Sequence, residues 1–260
     1  MIFFPSREVA VEILGFSVHW YGIMYMLAFL FAYVSLPGLL HYRSLRMRDE
    51  DVSALVTAGI LGVLIGGRLG YVFFYAPLYF LAHPMEVLAV WHGGMSSHGG
   101  FIGVGLALWI VLQKRSIPIL PFLDVITVPV AVGLMLGRFG NFINLELYGV
   151  ATTLPWAIEI PGVEGLRHPT QIYAMIKDAL IAVICFMHLR QPMKRPDGLT
   201  FAYFLIFYGL LRFLVEFFRV ETVESWTIGE LTLTQGQALT IPIIVFGLVL
   251  YRWLLRREFS

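Results

Sequence analysis

Four basic side chains stand inside long apolar runs of this sequence: Arg68, Arg138, Lys177 and Arg212. A charge at the centre of a bilayer costs at least about 2.5–3.5 kcal/mol on insertion scales, so each of them calls for a reason. Around Arg212 the reason is helical spacing. Tyr208, Arg212, Glu216 and Arg219 follow at intervals of four, four and three, which stacks them on one face of a helix. Arg212 and Glu216 can pair there, and pairing lowers the cost of burying either. Arg138 and Asn141 share a face of another run, which ends Gly137-Arg138-Phe139-Gly140-Asn141-Phe142-Ile143-Asn144. Guanidinium groups match phosphate oxygens in fixed geometry and remain charged. Inside a bilayer the abundant phosphate is a phospholipid headgroup, so these residues suit the handling of a phospholipid.

Each residue also has a plainer reading. Arg68 could snorkel to headgroups, and Arg212 with Glu216 could be a structural ion pair. Lys177 with Asp178 reads as a surface pair at an outer boundary. The stripe Gly62, Gly66, Gly70 reads as helix packing, and Gly133 and Gly137 are expected to let a neighbouring backbone approach. His19, His41, His83, His92 and His188 read as interfacial, with no His/Glu spacing that demands zinc. Other chemistries lack their motifs. There is no glycine-rich P-loop, no carboxylate pair for magnesium and no Gly-x-Ser-x-Gly elbow. The single cysteine, Cys185, excludes an intramolecular disulfide and reads as a packing residue. No metal, organic cofactor or nucleic-acid partner is expected.

The elements that must position these side chains are membrane spans. The chain is 58% hydrophobic and 13% charged, with a mean hydropathy of +0.79, whereas a soluble domain carries about a quarter charged residues. A hydrocarbon core of about 30 Å takes roughly 20 apolar residues in a helix. Seven segments meet that requirement: about 17–40, 52–75, 95–114, 121–141, 170–190, 198–218 and 237–255. Eleven basic residues fall on one side of this arrangement: Arg43, Arg46, Arg48, Lys114, Arg115, Arg190, Lys194, Arg195, Arg252, Arg256 and Arg257. The other side has Arg7, Arg167 and Arg219. The positive-inside rule therefore puts the N-terminus outside and the C-terminus in the cytoplasm, as an odd number of spans requires. The fold expected is an all-α polytopic membrane protein, one membrane-embedded domain over 1–260 with no signal peptide. Residues 142–169, rich in proline and glycine, read as the main extracytoplasmic cap, helped by 1–16 and 76–94. With this topology Tyr21, Arg68, His98, Arg138 and Arg212 fall in the outer parts of five spans, around a cavity open to the outer leaflet.

Several runs of the sequence resemble the phosphatidylglycerol–prolipoprotein diacylglyceryl transferase family. They are His19-Trp20-Tyr21-Gly22, Gly66-Gly67-Arg68-Leu69-Gly70-Tyr71 and Met95-Ser96-Ser97-His98-Gly99-Gly100. Next come Gly137 to Gly149, which includes Glu146, and Arg167-His168-Pro169-Thr170-Gln171-Ile172-Tyr173. The last is Tyr208-Gly209-Leu210-Leu211-Arg212 with Glu216-Phe217-Phe218-Arg219. The matches keep their order from about residue 19 to 240. The resemblance implies seven helices, a periplasmic N-terminus, a cap and residence in the bacterial inner membrane with the site towards the periplasm. It implies that the lipobox cysteine thiol of a prolipoprotein attacks the glycerol carbon of phosphatidylglycerol, forming a thioether and releasing glycerol 1-phosphate.

On that resemblance Arg138 and Arg212 stabilise the developing phosphate charge. His98 accepts the thiol proton or orients a substrate, with Glu146 or Glu216 as alternatives. Tyr21, Arg68, Asn141, Glu146, Gly149, Tyr208, Glu216 and Arg219 bind and position substrate. The partners implied are phosphatidylglycerol, prolipoprotein signal peptides with a lipobox cysteine, and membrane lipids. Two departures stand out. Ala174 follows Tyr173 where the family usually has glutamate, and His92 and Ser97 replace an acidic and an aromatic residue. The rival reading is a phospholipid flippase or transporter using the same arginines, which would need a polar path to the cytoplasmic side. Asp124, near an inner end, is the main charge there.

Overall fold

The computed structural model describes residues 8–13, 16–191, 195–220, 226–228 and 231–258; Arg7 and Lys194 of the charge comparison lie outside them. The chain is mostly helical. Its helices are α1 (Trp20–Leu40), α2 (Asp49–Phe74), the short α3 (Pro77–Ala82), α4 (Ser97–Lys114), α5 (Ile119–Asn144), α6 (Thr170–Leu189), α7 (Leu199–Glu216) and α8 (Gln235–Glu258). Six of them, α1, α2, α5, α6, α7 and α8, are long and apolar enough to cross a membrane. The segment expected at 95–114 is the 18-residue α4 and is not among the six. Its opening Ser-His-Gly-Gly and closing Gln-Lys lower the mean hydropathy of the helix.

The all-α expectation needs one correction. Strands β1 (Val9–Ile13) and β2 (Phe16–His19) form an antiparallel hairpin, with Val11 opposite Val18 and a register shift between Val9 and Val11. Strands β3 (Trp226–Ile228) and β4 (Leu231–Leu233) form a second. Both are short runs rich in β-branched residues beside a span, too brief for a helix of their own.

The chain divides into two compact units, Tyr33–Phe122 and Met1–Ala32 with Leu123–Ser260. In the unit Tyr33–Phe122 the glycine stripe of α2 has the packing role expected of it. A Cβ on Gly66 would stand 2.4 Å from the Gly99 carbonyl oxygen, and one on Gly103 would stand 2.2 Å from that of Gly62. The backbones of α2 and α4 thus touch, which only side-chain-free positions permit. The first turn of α2 carries Asp49, Glu50 and Asp51 at the positive end of the helix dipole. Asp51 accepts the Arg48 backbone N–H at 3.0 Å and pairs with Arg115.

In the other unit, Ala131, Ile181, Cys185 and Ala202 are completely buried, and α7 and α8 meet where a Cβ on Gly209 would come within 2.5 Å of Ile244 Cγ1. The start of α7 is capped from another helix. Asp124 accepts the backbone N–H groups of Gly198 at 2.8 Å and Phe201 at 2.9 Å, and it is fully buried. Two orphan donors of the helix end are satisfied by one carboxylate. Residues 145–169 have no helix and fold back through single bridges, Gly149 to Arg219, Ala151 to Arg167 and Ile158 to Arg167.

Candidate active site

The end of α5 and the turn after it build the first part of the site. Arg138 Nη1 donates to Asn141 Oδ1 at 3.2 Å, along one face of the helix as their spacing predicts. Asn141 is buried, and its amide nitrogen donates to Glu146 Oε1 at 2.9 Å and to the Tyr21 hydroxyl oxygen. The Tyr21 hydroxyl itself donates to the same Glu146 oxygen. Glu146 reaches this position because the backbone on either side is left-handed: Leu145 has φ 53° and Leu147 has φ 55°. Such a conformation is costly for a branched residue and is held by its surroundings. Those surroundings are visible. Gln171 Nε2 donates to the Glu146 carbonyl and the Thr170 hydroxyl to the Leu147 carbonyl, each at 2.7 Å. Burial, and then the negative charge of Glu8, hold the Glu146 carboxyl above the usual carboxylate range.

The end of α7 builds the second part. Arg212 and Arg219 both pair with Glu216, at 2.5 and 3.2 Å, in the ladder read from their spacing. Arg138, Arg212 and Arg219 line one cleft, which Gln171, Thr170 and Ala174 complete. Its free space of about 10 Å³ admits a single water molecule, so a headgroup enters only if these side chains part. Ala174, the departure noted in the sequence, therefore faces the arginines. One turn on, Lys177 and Asp178 form an ion pair at 5% and 1% exposure, a correction to the expected surface pair. The Lys177 ammonium lies 4.4 Å from the ring centre of Tyr208, which places Tyr208 beside the cleft through a cation–π contact.

Gly149 is a packing position. A Cβ there would lie 2.3 Å from the Phe218 carbonyl oxygen, 2.6 Å from His168 Cβ and 2.7 Å from Thr170 Cγ2. Its bridge to Arg219 ties the loop after α5 to the end of α7. Gly133 and Gly137 differ from expectation, because a Cβ at Gly137 meets nothing within 4 Å and one at Gly133 makes only ordinary contact. His188, read as interfacial, is buried with Nδ1 2.9 Å from the Thr200 hydroxyl.

Arg68 and His98 belong to the unit Tyr33–Phe122. Arg68 is buried and donates to four backbone carbonyls: Glu86 at 2.5 Å, Val87 at 2.9 Å, Gly93 at 2.6 Å and Gly94 at 3.2 Å. Its guanidinium also lies 5.0 Å from the Phe80 ring centre. Arg68 is neither snorkelling nor free; it clasps the loop between α3 and α4. His98 is exposed in the first turn of α4, where the Ser96 side chain caps the helix by accepting the Gly99 N–H at 3.2 Å.

Three contributors escaped the sequence reading: Thr170, Gln171 and Arg167. All three lie in the run that carried the resemblance, and a glutamine in the first turn of an apolar helix was the available signal. No group of three or more His, Cys, Asp or Glu side chains suited to a metal occurs among the described residues.

A family model described as prolipoprotein diacylglyceryl transferase matches residues 8–253. A phosphatidylglycerol–prolipoprotein diacylglyceryl transferase of Polynucleobacter asymbioticus is 41% identical over 260 residues, covering 97% of this chain and 98% of its own. Those of Geobacter sulfurreducens and Wolbachia pipientis are 41% and 42% identical. They cover 98% and 94% of this chain, and 98% and 93% of their own.

Proposed function

The chain belongs to the prolipoprotein diacylglyceryl transferase family, and we propose that the arginine cleft and the Glu146 network carry out that family's reaction here. The protein transfers the diacylglyceryl group of phosphatidylglycerol to prolipoprotein during lipoprotein maturation. It is a multi-pass membrane enzyme. In our reading it sits in the bacterial inner membrane as one domain over 1–260. Seven spans, α4 included, leave the N-terminus outside, the C-terminus in the cytoplasm, and residues 142–169 as a cap over a site facing the periplasm.

The chemistry follows from the residues. The lipobox cysteine thiol loses its proton, and the thiolate attacks the glycerol carbon that bears the phosphate ester. A C–S bond forms, the C–O bond breaks, and its electron pair leaves on glycerol 1-phosphate. A phosphodiester monoanion thus becomes a phosphomonoester with a second ionisable oxygen. Arg138 and Arg212 stabilise that added charge, where preorganised cations act most strongly. Glu216 holds Arg212 and Arg219 in place, and Tyr21, Asn141 and Glu146 fix the side from which Arg138 projects. Tyr208 borders the headgroup, and Gly149 serves by letting two backbone segments pass. His98 receives the thiol proton, with Glu146 and Glu216 as the other groups able to do so. Arg68 contributes by holding the 86–94 loop through its carbonyls.

The observation that carries this reading is the convergence of three arginines on one cleft in a chain of this family. The test is mass spectrometry of a lipobox peptide incubated with purified protein and phosphatidylglycerol. A diacylglyceryl mass gain on the cysteine is expected, and Arg138→Ala is expected to abolish it while remaining inserted and monodisperse. Full turnover by a folded Arg138→Ala removes the assigned role.

A further inference from the structure

A larger cavity adjoins the arginine cleft, and the reaction as described leaves it without a task. It measures about 420 Å³ and is bordered by Val150, Arg167, Glu216, Arg219, Thr234 and Gln237, among others. Arg219 borders both spaces. We propose that this cavity is a second anion site, which takes the water-soluble phosphomonoester released by transfer. This rests on the reaction proposed above.

Three features point to that ligand. The first is charge: two guanidinium groups, those of Arg167 and Arg219, line the cavity with one carboxylate, that of Glu216. That carboxylate is already shared between Arg212 and Arg219. The second is an unspent donor. Arg167 gives Nη2 to the Glu164 carbonyl at 2.8 Å, but its buried Nε makes no hydrogen bond among the described residues. The third is the polar side of the cavity at the start of α8. Thr234 and Gln237 bond reciprocally there as a helix cap, the Thr234 N–H to Gln237 Oε1 and the Gln237 N–H to Thr234 Oγ1, both at 3.1 Å. A capped helix start with two arginines suits a hydroxylated anion far better than an acyl chain.

Transfer cuts the phosphate free of the lipid. In the cleft the phosphate begins as a diester and ends as a monoester with more negative charge. Arg219 can hold it from either space, and Arg167 offers a second cation only on the cavity side. The monoester, no longer tied to acyl chains in the membrane, passes from Arg138 and Arg212 to Arg167 with Arg219 bordering both spaces, which frees the cleft for another lipid.

The experiment uses the purified full-length chain in detergent and measures equilibrium binding of sn-glycerol 1-phosphate, of inorganic phosphate and of a short-chain phosphatidylglycerol. Arg167→Gln is expected to weaken glycerol phosphate at least tenfold and the short-chain lipid less than threefold. Arg167→Lys, which keeps the charge, is expected to stay within threefold of the parent for both. Equal loss for lipid and phosphomonoester in Arg167→Gln would make this a headgroup site and overturn the proposal. Unchanged glycerol phosphate binding in Arg167→Gln, or a lysine variant as weak as the glutamine variant, overturns it too. Peptide lipidation by the parent protein is measured alongside. Its failure rejects the transferase reading, whereas lipidation without saturable phosphate binding rejects the cavity alone.

Discussion

A single methyl group at position 149 tests whether the loop after α5 sets the arginines. In Gly149→Ala the new Cβ meets the Phe218 carbonyl oxygen at 2.3 Å, His168 Cβ at 2.6 Å and Thr170 Cγ2 at 2.7 Å. Ordinary contact needs about 3.5 Å, so the Phe218 peptide must retreat by about 1 Å. That same carbonyl accepts the Val150 N–H at 3.0 Å, while Gly149 donates to the His168 carbonyl at 2.8 Å. Retreat therefore strains two bonds and carries the neighbouring Arg219 with it. Overpacking of this kind costs about 1–3 kcal/mol, and a misplacement of about 1 Å can cost on the order of 10²-fold in rate. The expected result is an inserted protein with a lower melting temperature and transfer slowed by about two orders of magnitude. Gly137→Ala is the control: it meets nothing within 4 Å, and replacing a mid-helix glycine by alanine gains about 1 kcal/mol. Wild-type transfer by Gly149→Ala, or equal damage from Gly137→Ala, refutes the reasoning.

Arg68→Lys keeps the charge but cannot reach four carbonyls spread over residues 86–94 with one ammonium. Limited proteolysis is expected to cut the 76–94 segment faster in the variant; an unchanged cleavage rate removes the clasp. Asp124→Ala leaves the N–H groups of Gly198 and Phe201 without their acceptor. It is expected to cost about 1–2 kcal/mol, read as a thermal shift that Asp124→Asn partly restores. Glu146→Gln tests the raised carboxyl. A group whose folded pKa lies above its unfolded value loses stabilising effect as pH rises through the folded pKa. Replacing Glu146 by a neutral amide is thus expected to shift stability in the variant's favour between acid and neutral pH, and a pH-independent difference in melting temperature argues against a protonated Glu146.

What the sequence exposed and what it concealed follow one physical divide. The ladder of Arg212, Glu216 and Arg219 and the Arg138–Asn141 pair were legible, because helical spacing alone brings those side chains together. The Tyr21–Glu146 bond was not, since it joins residues 125 apart in the chain through a turn whose two leucines take left-handed backbone. Nothing in a leucine announces that conformation. Arg68 was legible as a buried charge, yet its partners are backbone carbonyls, which every sequence has everywhere. Lys177 and Asp178 looked solvated because they are adjacent charges; the aromatic face of Tyr208, one helix away, is what makes their burial tolerable. The spans emerged to within a few residues except at 95–114, where polar and glycine residues lower the mean hydropathy of α4.

The distribution of charge also decides between the two functions the sequence left open. A transporter needs polar groups that continue through the membrane towards the cytoplasmic side. Asp124, the charge that could have begun such a path, is fully buried and committed to two backbone donors at the start of α7. Arg138, Arg212 and Arg219, by contrast, line one cleft, with a single carboxylate between the last two. That arrangement concentrates positive charge at one place. A fixed surplus of this kind binds an anion and stabilises one that gains charge in place, which is the requirement of transfer chemistry. Transport would instead demand that the surplus be released on the other side.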